Sequence, residues 1–238
     1  PQHRLCSVII PHCLLVIVEK LTPRPINAKT GVISQANGSA RVRMGATDVI
    51  ASVKAELGRP TALQPDKGKV FINVDCSPTA APMFEGRGGE ELSAESRSDG
   101  NLLDALGTAI KAALRDTGIP RVNVAAGASG DEQPEVDVSD EEFLQFDTSK
   151  VPVIVTLTKV GKHYIVDATS EEESQMSSAV SISVNRQGHI CGLTKRGGAG
   201  LDPSIILDMV SVAKTVSEQL INTLDSQIAA AEAGEDES

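Results

Sequence analysis

Aromatic side chains are nearly absent: Phe occurs four times, Tyr once and Trp never in 238 residues. Any core must therefore be built from Val, Ile, Leu and Ala. The 40% apolar content is enough for one sizeable domain or two small ones. Positive charge is also short, with 22 Lys and Arg against 32 Asp and Glu, a net charge of −10. That excludes a broad electrostatic grip on nucleic acid and leaves only a local basic patch, or contacts made by partner chains. The four cysteines, Cys6, Cys13, Cys76 and Cys191, are scattered, with no C-x-x-C pair and no His at ligand spacing. Neither a zinc site nor a disulfide framework is indicated, and reduced, buried thiols of an intracellular protein are expected. A long apolar run is missing too. Residues 5–18 (LCSVIIPHCLLVIV) are uncharged but contain Pro11 and are too short to span a bilayer. Arg4 ahead of them mimics a signal peptide, yet no small-residue cleavage site follows. A buried strand pair or an aberrant junction is expected there.

What is present falls into two halves of similar design. Residues 34–60 (SQANGSARVRMGATDVIASVKAELGRP) read as two strands joined by a turn. Asn37-Gly38 is a turn dipeptide, and 41–43 and 48–54 alternate with period two. A further strand is expected at 70–76, then a helix over 101–117. That helix carries Leu102, Leu103, Leu106, Ala109, Ile110, Ala113 and Leu114 on one face, with Ser98 or Asp99 as its cap. Residues 125–142 are acidic, contain Gly, Pro and Ser, show no period and read as a mobile surface loop.

In the second half, 151–159 pairs with 163–168 about Gly161-Lys162, and 179–184 with 189–194 about Gln187-Gly188. A long helix then starts at Asp202-Pro203, with Ile205, Met209, Ala213, Val216, Leu220, Leu224 and Ile228 at helical spacing. The acidic end, 231–238, is expected to be disordered. Strands followed by a helix, twice, specify an α+β fold with helices packed on sheet.

Residues 34–60 together with 75–89 (DCSPTAAPMFEGRGG) and the helix start SDGNLLDAL closely resemble the ribonuclease PH family. The branch it is most similar to builds the ring of the RNA exosome without doing its chemistry. The resemblance covers roughly 24–95 and 98–230. It implies a duplicated βαβα fold of the ribosomal protein S5 domain 2-like kind over 24–230, preceded by an atypical segment at 1–23. One departure stands out. Family members continue from a sequence like EELSAE (90–95) into a helix and two more strands, whereas here Ser98-Asp99-Gly100 follows almost at once. Several tens of residues are expected to be missing between 95 and 98, with loss of a helix that would cover apolar sheet surface.

Active members of the family cleave RNA from its 3′ end with inorganic phosphate, a reaction that needs a phosphate cradle, cationic partners and carboxylates for a divalent metal. Their Gly-Thr-Arg element corresponds here to the helix start at Asn101, Leu102 and Leu103, so two leucines stand where a hydroxyl and a guanidinium would bind phosphate. Asp167 and Glu173 match the family's paired carboxylates, with Glu replacing the second Asp. Without the resemblance, Asp167 and the following Glu run read as a solvated loop. Arg87, in the loop Glu85-Gly86-Arg87-Gly88-Gly89, matches arginines that touch the RNA backbone, and otherwise reads as an exposed turn residue. The loop 195–200 (KRGGAG) lacks P-loop spacing and reads as a turn before the last helix.

The resemblance therefore implies a non-catalytic ring subunit with no cofactor and no metal. Its partners would be other ribonuclease PH-like ring subunits, RNA-binding cap subunits and RNA in the assembled channel, with no membrane. Ribosomal RNA maturation and messenger RNA turnover, in nucleus, nucleolus and cytoplasm, follow from the same likeness. Two other readings stay open: an active phosphorolytic exoribonuclease, and a truncated isoform that does not assemble.

Overall fold

A computed structural model describes residues 5–10, 13–18, 23–56, 58, 70–74, 100–125 and 135–235. The N-terminal run forms an antiparallel hairpin, β1 (Leu5–Ile10) and β2 (Cys13–Val18), the strand pair expected there; the burial of its side chains lies outside what is described. The first half is a three-stranded antiparallel sheet of β3 (Ile26–Thr30), β4 (Gly38–Met44) and β5 (Thr47–Val53) in sequence order. The β4–β5 turn is Gly45-Ala46, with Gly45 at φ +61. Asn37-Gly38 does not join the two expected strands but leads into β4. A Cβ at Gly38 would lie 2.5 Å from the Ala113 carbonyl oxygen, so this glycine lets β4 approach the following helix.

That helix, α1 (Leu102–Arg115), is followed by a hairpin of β6 (Gly118–Ala125) and β7 (Glu135–Gln145), which bond to each other. Of the loop expected at 125–142, Ala125 and 135–142 are strand, Val136 and Val138 of β7 supplying β-propensity that the acidity hid. The second half is a four-stranded antiparallel sheet in the order β11-β10-β8-β9, from β8 (Val153–Val160), β9 (His163–Val166), β10 (Ser178–Val184) and β11 (Ile190–Arg196). A five-residue helix, α2 (Ser170–Ser174), sits between β9 and β10, and α3 (Pro203–Glu235) closes the chain. The last helix runs into the segment expected to be disordered, up to Glu235.

The expected strand at 70–76 does not form over its described part. Residues 70–74 join no sheet, and Val70, Phe71 and Ile72 are 85%, 82% and 67% exposed. Their β-propensity is high, but a strand exists only where a neighbour takes up its backbone groups. Cys191 also departs from expectation, lying exposed and free on the edge strand β11.

One core joins both halves. Helix α1 packs against β3, β4 and β5 and also against β8, while α3 packs on β3, β8 and β10. Being covered on more than one side, α1 buries small residues, Ala105, Ala109, Ala112 and Ala113, each completely, rather than its leucines; Leu103 remains exposed. Gly107 lies against Ile154 of β8, so the close approach depends on small side chains. The α3 residues at helical spacing behave as expected, with Met209, Ala213, Val216, Leu220, Leu224 and Ile228 buried. Gln227 of α3 covers the edge of β3, accepting from the Ala28 N–H at 2.8 Å and donating to the Ile26 carbonyl.

Two buried polar groups fix α1. Lys111 donates to the Thr148 and Val151 carbonyls at 2.8 and 2.7 Å, and burial together with Arg186 and Arg115 lowers its pKa to about 8. Asp104 accepts from the Thr156 N–H at 2.7 Å and its hydroxyl at 2.6 Å, which pins α1 to the middle of β8. Burial raises the Asp104 pKa from 3.8 to about 7, against the opposing pull of those bonds. The folded state therefore holds a proton between about pH 4 and 7 that the unfolded chain has released, and stability falls as pH rises through that window. Asp104→Asn is expected to flatten this slope in denaturant melts across a pH series; equal slopes in the two proteins would refute the assignment.

Candidate functional site

The residues singled out from sequence converge where α1 begins. Gly100, at φ +78, precedes Asn101 at φ +56, two successive left-handed residues that turn the chain into α1. A Cβ on Gly100 would stand 2.2 Å from the Ala168 carbonyl oxygen, so the segment before α1 lies against the loop after β9. Asn101 occupies the N-cap position, but its side chain makes no cap bond. Its amide nitrogen donates instead to Asp167 Oδ1 at 2.8 Å, and its backbone N–H to Glu173 Oε1 at 2.9 Å. One residue thus bridges both carboxylates. Ser98 and Asp99, the expected caps, lie outside the described residues.

Asp167 follows β9 directly and is itself left-handed at φ +55. Its side chain is 0% exposed. Arg24, just ahead of β3, gives it three donors: the backbone N–H and Nε to Oδ2 at 2.6 and 2.9 Å, and Nη2 to Oδ1 at 2.8 Å. Burial by itself would push the Asp167 carboxyl up, but the Arg24 side-chain and backbone bonds and the Asn101 bond outweigh it and hold it below the ordinary carboxylate value. The Glu run is sorted by α2. Thr169 and Glu172 form a reciprocal capping box, Glu173 turns back to Asn101, and Glu171 is exposed. The T-x-x-E spacing was legible in sequence and marks a helix start rather than a solvated loop.

Asp167, Glu173 and Asn101 are therefore brought together, with Leu102 partly packed against the core and Leu103 at the surface. Arg87 lies outside the described residues. Arg24 is the member that sequence reasoning missed; its setting between Pro23 and Pro25 was the available signal. Of the expected 195–200 turn, Lys195 and Arg196 instead end β11 and only 197–200 leave the strand, with Lys195 Nζ donating to the Gly197 carbonyl at 2.7 Å.

The donor set does not fit a divalent metal. A carboxylate offers about four lone-pair positions, and those of Asp167 already receive three donors from Arg24 and one from Asn101. Glu173 Oε1 is committed to the Asn101 N–H. Among the described residues no group of three or more His, Cys, Asp or Glu gathers to hold an ion.

Two family models match the chain, the 3′ exoribonuclease family domain 1 over residues 22–97 and domain 2 over 150–216. The chain belongs to the 3′ exoribonuclease family. It is 31% identical to the exosome complex component Rrp42 of Methanothermobacter thermautotrophicus, across 86% of this chain and 87% of that protein. It is 30% identical to the Rrp42 exosome component of Pyrococcus furiosus, across 83% and 82%. Among solved structures, a chain of the Archaeoglobus fulgidus exosome with RNA bound to the active site superposes with a TM-score of 0.67 at 27% identity, covering 85% of this chain and 89% of that one. Rice Rrp46, at 15% identity and a TM-score of 0.59, shares the fold. The α+β ribonuclease PH fold read from sequence is therefore the family's.

Because Asp167 is held below its ordinary value when folded, its stabilising contribution is present above that value and is lost as pH falls through the folded one. Wild-type protein is expected to destabilise below about pH 4, opposite in sign to the Asp104 effect. The acid limb of a thermal-melt series should be shallower in Asp167→Asn; an unchanged limb would show that Asp167 does not govern it.

Proposed function

We propose that this chain is a non-catalytic, structural subunit of an RNA exosome ring. It assembles with homologous ribonuclease PH-like subunits and RNA-binding cap subunits and helps form the channel for RNA bound for 3′-to-5′ processing and degradation. The ring assignment is supported by relatives named as exosome components across more than four-fifths of the chain, and by the likeness to a chain of an RNA-bound exosome. The non-catalytic assignment rests on one observation: Asp167 is saturated by Arg24 and Asn101. Leu102 and Leu103, which have neither hydroxyl nor guanidinium to offer a phosphate, support it. Losing one charged hydrogen bond of that kind forfeits about 1.5–3 kcal/mol. Arg87 is assigned a contact with the RNA backbone in the assembled ring. The corresponding sites of work are the nucleus, nucleolus and cytoplasm; no helix among the described residues is long and apolar enough to cross a membrane.

The purified chain, given a 3′-labelled RNA oligonucleotide, Mg²⁺ and inorganic phosphate, is expected to release no nucleoside diphosphate. Phosphate-dependent release that Asp167→Asn abolishes would revive the active exoribonuclease.

A second reading, a shortened form that does not assemble, has specific support. The alignment to the Methanothermobacter protein runs over 242 positions, more than the whole chain, although only 86% of the chain takes part. Several tens of the relative's positions therefore have no counterpart here. The exposed Val70, Phe71 and Ile72 fit the loss of a covering element. Affinity purification of the tagged 238-residue chain from cells is expected to bring down the other ring subunits in stoichiometric amount. Recovery of chaperones alone, beside a full-length control that recovers the ring, would establish the non-assembling form.

A further inference from the structure

We propose that Arg24 is the built-in counter-cation of the Asp167–Glu173 pair, which makes this site a metal-independent clasp between the two halves of the fold. The inference rests on the donor geometry and not on the ring assignment. Three independent features commit the Asp167 carboxylate to the guanidinium. The first is the donor count. Arg24 reaches both oxygens of Asp167 with Nε and Nη2 and adds its own backbone N–H, and Asn101 supplies the fourth bond. A Mg²⁺ ion demands ligand oxygens at about 2.0–2.1 Å in octahedral array and keeps several waters, for which a carboxylate that is 0% exposed leaves no approach.

The second feature is the backbone. Pro23 and Pro25 flank Arg24, and a residue before proline is biased to extended conformations. This narrows the chain to conformations from which the N–H and the side chain of one residue can reach the same carboxylate. The third is the space for the fork. Gly45, in the β4–β5 turn, is left-handed, and a Cβ there would lie 2.5 Å from Arg24 Nη1. The turn that builds the first sheet thus also cradles the guanidinium. The clasp joins the approach to β3, the turn of β4–β5, the start of α1 and the loop after β9.

The test uses the full chain and Mn²⁺, an oxygen-seeking ion visible by electron paramagnetic resonance. Wild-type protein is expected to melt at the same temperature in EDTA and in Mn²⁺, and to bind no Mn²⁺ in a manner that Asp167→Asn abolishes. Arg24→Met leaves Asp167 buried without its cation, so melting should fall by about 10 °C, and Mn²⁺ should restore part of that loss by binding at one site per chain. The double variant Arg24→Met/Asp167→Asn should lose that Mn²⁺ site. The proposal is overturned by Asp167-dependent Mn²⁺ binding in wild type, by EDTA lowering its melting temperature, or by a folded Arg24→Met protein that melts like wild type or takes up no Mn²⁺. Should Arg24→Met fail to fold, the wild-type comparison in EDTA and Mn²⁺ decides.

Discussion

The bond network between Arg24, Asp167 and Asn101 is the constraint on which the rest of the arrangement depends. Asp167 is buried as an ion, and an ion in a low-dielectric interior is tolerated only when it is paired and its lone pairs are filled. Arg24 and Asn101, which fill them, come from other parts of the chain, more than 60 residues away in sequence: 143 for Arg24 and 66 for Asn101. Satisfying one carboxylate thus fixes where the first sheet begins, where α1 starts and how the loop after β9 meets them. The site costs local stability. Asn101 and Asp167 both sit in the left-handed region, at about 1–3 kcal/mol each for a non-glycine residue, and α1 forgoes an N-cap bond worth about 1 kcal/mol. Those departures persist because the buried charge needs the donors they bring.

The same logic explains the composition of α1. A helix covered by both sheets cannot carry large side chains all round, so Ala, Gly and Thr fill its inner faces and leucines stay at its margins. What polarity it buries is bonded outward: Asp104 to β8, and Lys111 to the loop that precedes it. Asp104 and Asp167 then respond to pH in opposite directions for one reason. Asp104 is offered neutral donors by Thr156, which do not offset its desolvation, whereas Asp167 is offered a guanidinium, which does.

Much of this was legible in the sequence. Period-two alternation located β4, β5 and the four strands of the second sheet but not β3, β6 or β7, and helical spacing located α3 together with its buried residues. Asp167 and Glu173 were picked out by likeness, and they do meet, on Asn101. What failed has identifiable causes. The Leu face assigned to α1 assumed one buried side, while a helix between two sheets selects for small volume instead. The acidity of 125–142 masked the strand propensity of Val136 and Val138, and the loop reading stopped short of Phe143 and Leu144, which lie in the same strand. Arg24 went unnoticed because a lone arginine between prolines has no period, and its meaning lies in a partner on a distant loop.

The segment 70–74 sets the limit of any reading by propensity. Val70, Phe71, Ile72 and Val74 have the composition of a central strand, yet they lie exposed and join none of the sheets among the described residues. Strand pairing is a property of two segments, and β-propensity in one cannot supply the other. Burying a Val, Ile or Phe is worth about 1.5–3 kcal/mol per side chain, so leaving these four in water forgoes several kcal/mol, comparable with a domain's net stability of about 5–15 kcal/mol. A chain that tolerates such a loss must hold its first half by other means. The means at hand are those that cross from the second half: the guanidinium clasp ahead of β3, the Gln227 bonds along the edge of β3, and the shared core around α1. The first half is thus held by the second as much as by its own sheet.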